Sequence, residues 1–232
     1  EVMAHKLALV DELLDRGIEA LFIDFYRNGG WTPAYEYVEP VVAAYRAKYG
    51  AEPSSDSSDP CWCRHVGSYV TEFLRRIRKH AQARGQNLEL MVGIPGIAPL
   101  SDEPLLTRGA DWQAWVDEGL VDAVVINYVK WDPQDPFGSM RKLSREVMDV
   151  VKGRCKVFWP VQAYDFSGFG MPSCQKATGL SQPEVAERLL RMAWEEGAHG
   201  ISLECVDYNN YAAATRERMR ALVEGECEWV QP

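Results

Sequence analysis

Apolar positions in this chain follow a helical period, then a strand period, and the two alternate to the end. Met3, Leu7, Val10 and Leu14 fall on one side of a helix, which Gly17 closes. The run Ala20-Leu-Phe-Ile-Asp-Phe25 then reads as a strand. A helical pair follows over 34–49, restarted at Pro40, and over 63–84. In the latter, Val66, Tyr69, Val70, Phe73, Leu74 and Ile77 recur at helical spacing. Further strands are predicted over 88–94, 121–128, 156–164 and 201–206. Between them lie a short helix from Asp111 to Gly119, a helix from Ser139 to Gly153 carrying Leu143, Val147, Val150 and Val151, and one ending at Gly197. That last helix opens on Ser181-Gln-Pro-Glu184, a capping box with proline in the first turn. A final helix covers 210–224.

Strands alternating with helices predict an α/β fold with a parallel sheet. Helix-to-strand connections are short and strand-to-helix connections are long (26–33, 95–110, 129–138, 165–180). Chain length therefore collects at the C-terminal ends of the strands, where parallel folds keep their ligand sites. The strands place apolar residues on one face: Leu21, Ile23 and Phe25, or Ile201, Leu203 and Cys205. The other face is mixed and ends in a polar residue, as Asp24, Gln162 and Glu204 do. This pattern favours a TIM-type (β/α) barrel in one domain over 1–232, or its C-terminal portion. Five βα units are visible where a closed barrel of this type has eight.

Composition narrows the function classes. The 232 residues carry 25 Lys+Arg against 34 Asp+Glu, a formal charge of −9, which disfavours a nucleic-acid partner. The one basic cluster, Arg75, Arg76, Arg78, Lys79 and Arg84, reads as the solvated face of its helix. No apolar run reaches the ~18 residues of a membrane span. There is no signal peptide, but a mature chain would have lost one, so the compartment stays open: cytoplasmic, or secreted after signal removal. Six cysteines are too few for a disulfide scaffold. Cys61-Trp-Cys63-Arg-His65 lacks a second ligand pair and reads as a loop entering a helix. No glycine-rich turn leads directly into a helix, so no dinucleotide or other cofactor is expected. The histidines, at 5, 65, 80 and 199, all miss the strand C-termini.

Several segments together resemble a family. They are Gly17-Ile-Glu-Ala-Leu-Phe-Ile-Asp-Phe-Tyr-Arg27, Tyr37-x-Glu-Pro40 with Tyr45-x-x-x-Tyr-Gly50, Trp62-x-Arg64 leading into Val70-Thr-x-Phe-Leu-Arg75, and Asp111-Trp-x-x-Trp-Val-x-Glu-Gly-Leu-Val-Asp122. In this order they resemble the uncharacterised bacterial family-10-like glycoside hydrolases, (β/α)8-barrel glycosidase-like proteins, over about residues 10–130. The resemblance implies that the five strands are the fourth to the eighth of such a barrel. It also implies a departure, because related retaining enzymes carry glutamates on the fourth and seventh strands, where this chain has Asp24 and Gln162.

Glycoside hydrolysis needs one carboxylic acid to protonate the leaving oxygen and a second carboxylate as nucleophile or base. Asp24 and Glu204 end their strands and are the catalytic candidates. On the fourth and eighth strands they would face each other across the barrel mouth, which suits inversion. The alternative is that each forms a structural ion pair, Asp24 with Arg27. Arg27, Asn127, Tyr128, Gln162 and Tyr164 are candidates for substrate hydroxyls, and the aromatics Trp31, Trp131 and Tyr208, with Phe166 and Phe169, for stacking on sugar rings. Trp31, Trp131 and Phe169 are expected to line one cleft with Asp24. Trp112, Trp115, Trp159 and Trp194 read as core.

The expected function is carbohydrate hydrolysis by carboxylate acid/base catalysis. A carbohydrate-binding barrel without turnover is the second reading, and a metal-dependent hydrolase with its ligands on the absent strands a third. Five parallel strands cannot close a barrel, so about three further βα units before Glu1, or another chain, are expected to complete it.

Overall fold

The computed structural model describes residues 2–24, 37–56, 59–95, 110–127, 132, 134–162, 171–204 and 213–224. The elements follow the predicted alternation: α1 (Val2–Asp15), β1 (Ala20–Asp24), α2 (Glu39–Tyr49), α3 (Pro60–Ala83), β2 (Glu89–Pro95), α4 (Trp112–Asp117), β3 (Ala123–Asn127), α5 (Pro136–Val151), β4 (Lys156–Gln162), α6 (Met171–Thr178), α7 (Gln182–Glu195), β5 (Gly200–Glu204) and α8 (Ala213–Val223). The strands form one parallel sheet in the order β1-β2-β3-β4-β5. Strands adjacent in sequence thus pair in space, each returning through helices as a parallel pair requires. No helix among the described residues is long and apolar enough to cross a membrane.

Two compact units emerge, one formed by Glu1–Val124 with Val151–Cys155, the other by Val125–Val150 with Lys156–Pro232. In the first, α1 buries Leu7, Val10 and Leu14 and packs on α3. Helix α3 begins three residues earlier than the apolar period indicates. The Asp59 carboxylate accepts the Trp62 N–H as N-cap, and Pro60 occupies the first turn, where its missing N–H costs nothing. Helix α2 starts at Glu39 with Pro40 in its first turn, and its N-cap residue Val38 makes no side-chain cap. Its start was expected at 34, and residues 34–36 lie outside the described ones. Leu90, Val92 and Ile94 of β2 are all fully buried. In α4, Trp112 and Trp115 are buried, and the Trp115 indole N–H donates to Thr71 Oγ1 of α3 at 2.9 Å.

In the second unit, α7 is capped as predicted: both the backbone N–H and the hydroxyl of Ser181 donate to Glu184. Its buried face carries Val185, Ala186, Leu189, Leu190 and Ala193. Trp194 does not join the core; it is 53% exposed, one position past the buried stripe. Helix α5 buries Leu143 and Val147 and places Arg141 and Arg145 on Glu196. The two guanidiniums, Arg145 first, hold the Glu196 carboxyl below the usual carboxylate range. Helix α6 is an element that periodicity does not predict. It lasts only two turns and buries only Met171 and Cys174.

The basic face of α3 is not simply solvated. Arg78 is 18% exposed at its side chain and donates to Leu120 O at 2.8 Å, Leu88 O at 2.7 Å and Asp122 Oδ2 at 2.5 Å. Asp122 Oδ2 also accepts the Leu90 N–H at 2.7 Å. One guanidinium therefore ties the chain entering β2 to the chain entering β3. Arg78→Met is expected to destabilise the protein by about 2–3 kcal/mol in urea denaturation, because three acceptors lose a charged donor at once.

Gly200 faces Phe158 across the β4–β5 pair. A Cβ there would stand 2.9 Å from the Phe158 ring edge. Gly200→Ala is expected to cost about 1–3 kcal/mol by overpacking, and Phe158→Leu should remove most of that cost in a double-mutant cycle.

Candidate functional site

Period-2 alternation and the strand register fix which residues share a sheet face. In the first unit Phe22 pairs with Met91 and Asp24 with Gly93. Ala20, Phe22 and Asp24 thus share a face with Met91, and the residue opposite Asp24 carries no side chain. Leu21 and Ile23 share the other face with Leu90 and Val92. Phe22 is 47% exposed and Asp24 is half-buried, whereas Leu90 and Val92 are sealed. In the second unit Phe158 pairs with Gly200, Pro160 with Ser202 and Gln162 with Glu204. On the opposite face of β4, Val157 and Trp159 are fully buried. In the first unit the face of Leu90 and Val92 is therefore closed, and the other face runs to Asp24.

Four of the ten candidate residues are placed directly. Asp24, Asn127, Gln162 and Glu204 are the last described residues of β1, β3, β4 and β5. Two of them, Gln162 and Glu204, are register partners on adjacent strands. Arg27, Trp31, Tyr128, Trp131, Tyr164 and Tyr208 lie outside the described residues, as do Phe166 and Phe169. The expected cleft shared by Asp24 with Trp31, Trp131 and Phe169 therefore also falls outside them.

Other chemistry is poorly supplied among the described residues. Burial pushes the thiols of Cys63, Cys155 and Cys174 up to about 11, so all three are protonated at neutral pH and are weak nucleophiles. No group of three potential metal ligands occurs there. Cys61, Cys63 and His65 lie inside the first turns of α3 rather than in a loop, with Cys61 exposed and the other two buried. His199 brackets the start of the β4–β5 pair. Its N–H donates to Val157 O at 2.8 Å, and its Nδ1 accepts the Val157 N–H at 3.2 Å. That position, at the N-terminal end of β5, is structural.

A groove of about 560 Å3 runs along α1 and α3, lined by Asp11, Arg76, Lys79, His80 and Arg84 among others. His80 Nδ1 meets Asp11 at 2.8 Å, and Arg84 meets the same carboxylate at 2.8 Å. Arg75 pairs with Glu118 and Arg76 with Glu72. Most of its cations are thus neutralised in place. The groove belongs to the helical layer and contains no strand terminus. Its basic composition was legible in the sequence, but its pairing with Asp11 was not.

No protein-family model matches the chain, and no curated protein matches it.

Proposed function

We propose that this chain is a glycoside hydrolase of (β/α)-barrel type, acting on a poly- or oligosaccharide through the carboxylates of Asp24 and Glu204. One observation carries the reading: Asp24, Asn127, Gln162 and Glu204 lie in the C-terminal parts of four different strands of one parallel sheet. Polar residues at the C-terminal ends of parallel strands are where such folds hold their chemistry. Of the two carboxyl groups, one gives a proton to the glycosidic oxygen as the bond to the anomeric carbon breaks. The other takes a proton from the water that attacks that carbon, leaving a free sugar and an alcohol. Asn127 and Gln162 supply amide donors and acceptors for sugar hydroxyls, and Arg27, Tyr128 and Tyr164 extend that set. Trp31, Trp131 and Tyr208 offer stacking faces.

The β1 position supports an incomplete barrel in this reading. It is the outer strand of the sheet, and its residues are less buried than their partners in β2. A parallel sheet normally has its edges and both faces covered, so strands from further βα units or from another chain would complete the ring.

A binding barrel without turnover is the second reading. It is favoured by Gln162, an amide where the resemblance would place a carboxylate. Replacement separates the two. With reducing-sugar release from a panel of oligosaccharides as readout, Asp24→Asn and Glu204→Gln should each lower kcat by about 10²–10⁴-fold while the circular dichroism stays unchanged. A parent protein that binds the panel without releasing any product would establish the second reading instead.

A further inference from the structure

Helix α2 is fastened to α3 by a small aromatic cluster. Val42, Tyr45, Trp62 and Val66 are buried together with Val41 against them, and Tyr37 stacks on Trp62 at 4.3 Å between ring centroids. His65 lies among these rings and is only 4% exposed. Trp62 stacks on it at 5.8 Å, while Tyr45, Tyr49 and Tyr69 meet it at steep angles at 5.3, 6.0 and 5.5 Å. Its Nε2 lies 3.1 Å from the Val41 carbonyl of α2. A carbonyl only accepts, so Nε2 carries the hydrogen and Nδ1 of the neutral ring is a bare lone pair. That Nδ1 is buried and meets no partner among the described residues.

We propose that His65 is a pH-sensitive latch: the neutral ring holds α2 on α3, and protonation releases α2. Protonation would place a second N–H at Nδ1, where no described residue offers an acceptor, and a positive charge among aromatic side chains. Titratable, charged and aromatic groups face the ring from both helices. From α2 these are Tyr45, Tyr49 and Lys48, whose ammonium sits 5.0 Å over the Tyr49 ring. From α3 itself they are Trp62 and Tyr69, and Tyr37 lies beyond Trp62. The carboxylates of Asp56 and Asp59 act on Tyr37 and Cys63 rather than on His65. Cation–π attraction from the rings opposes release, and desolvation of the ion favours it.

Burial, aided by Lys48 and only partly offset by the Val41 carbonyl, lowers the pKa of His65 in the closed state. The sign follows. With α2 released, His65 returns to its ordinary value of about 6.5. The closed state is fully favoured above that pH and loses ground as pH falls below it, because the open state binds the extra proton. One proton gives at most a tenfold change in the opening equilibrium per pH unit.

Hydrogen exchange on the whole chain, corrected for intrinsic rates, tests this. Protection of α2 amides should fall by up to tenfold per pH unit below about 6.5, while protection at the middle of α3 stays constant. The His65 ring should titrate below about 6.5 in an NMR experiment. His65→Phe should make α2 protection independent of pH over the same range. A ring that titrates at or above its ordinary value overturns the proposal, as does pH-invariant α2 protection in the parent or a pH dependence that survives in His65→Phe. If that variant does not fold, the ring titration and parent exchange still decide.

Discussion

Parallel strand pairing is the constraint on which the rest of this structure depends. A parallel neighbour cannot be reached by a tight turn, so every strand must be followed by a helix before the next can pair. Strand C-termini then collect at one end of the sheet. The registers Asp24 with Gly93 and Gln162 with Glu204 turn that rule into a placement. Slipping either pair by one residue would move Asp24 or Glu204 onto the face that carries Leu21 and Ile23 or Val157 and Trp159. In the first unit, burial of Leu90 and Val92 therefore holds Asp24 on the more exposed face.

The helical layer stabilises that register from behind. Arg78 reaches three acceptors at the entry to β2 and β3, and Asp122 accepts from both Arg78 and the Leu90 amide. In the second unit, the His199 backbone and ring hold Val157 at the start of β4. Both devices act at the N-terminal ends of strands, opposite to the ends that bear the candidate carboxylates.

Much of this was legible in the sequence, for identifiable reasons. The five strands are short apolar runs with clear alternation, and the helices between them are stopped by glycines such as Gly17 and Gly197, both at positive φ. The capping box at Ser181 is a local signal, and it formed as read. Helix α6 was not legible, because two turns with only Met171 and Cys174 buried give too little periodicity. Arg78 was misread as solvated, since its acceptors are backbone carbonyls and an aspartate more than forty residues away, which no local pattern encodes. Trp194 was misread as core because indole is usually buried, but α7 needs only a narrow stripe against its neighbours. At the candidate site, alternation put Asp24, Gln162 and Glu204 on the mixed strand faces, and the apolar runs put all three, with Asn127, near the C-terminal ends of their strands. The assignment of a sugar substrate rested on resemblance and on aromatic residues in the connections.

The central claim is that Asp24 and Glu204 work as an acid and a base on a glycosidic bond, without the glutamate nucleophile of the retaining enzymes. The most direct measurement is the anomeric configuration of the first product, followed by proton NMR during hydrolysis of an oligosaccharide of defined linkage. With Asp24 and Glu204 as acid and base, the first sugar released should have the inverted configuration and then mutarotate. A first product with retained configuration would contradict those roles.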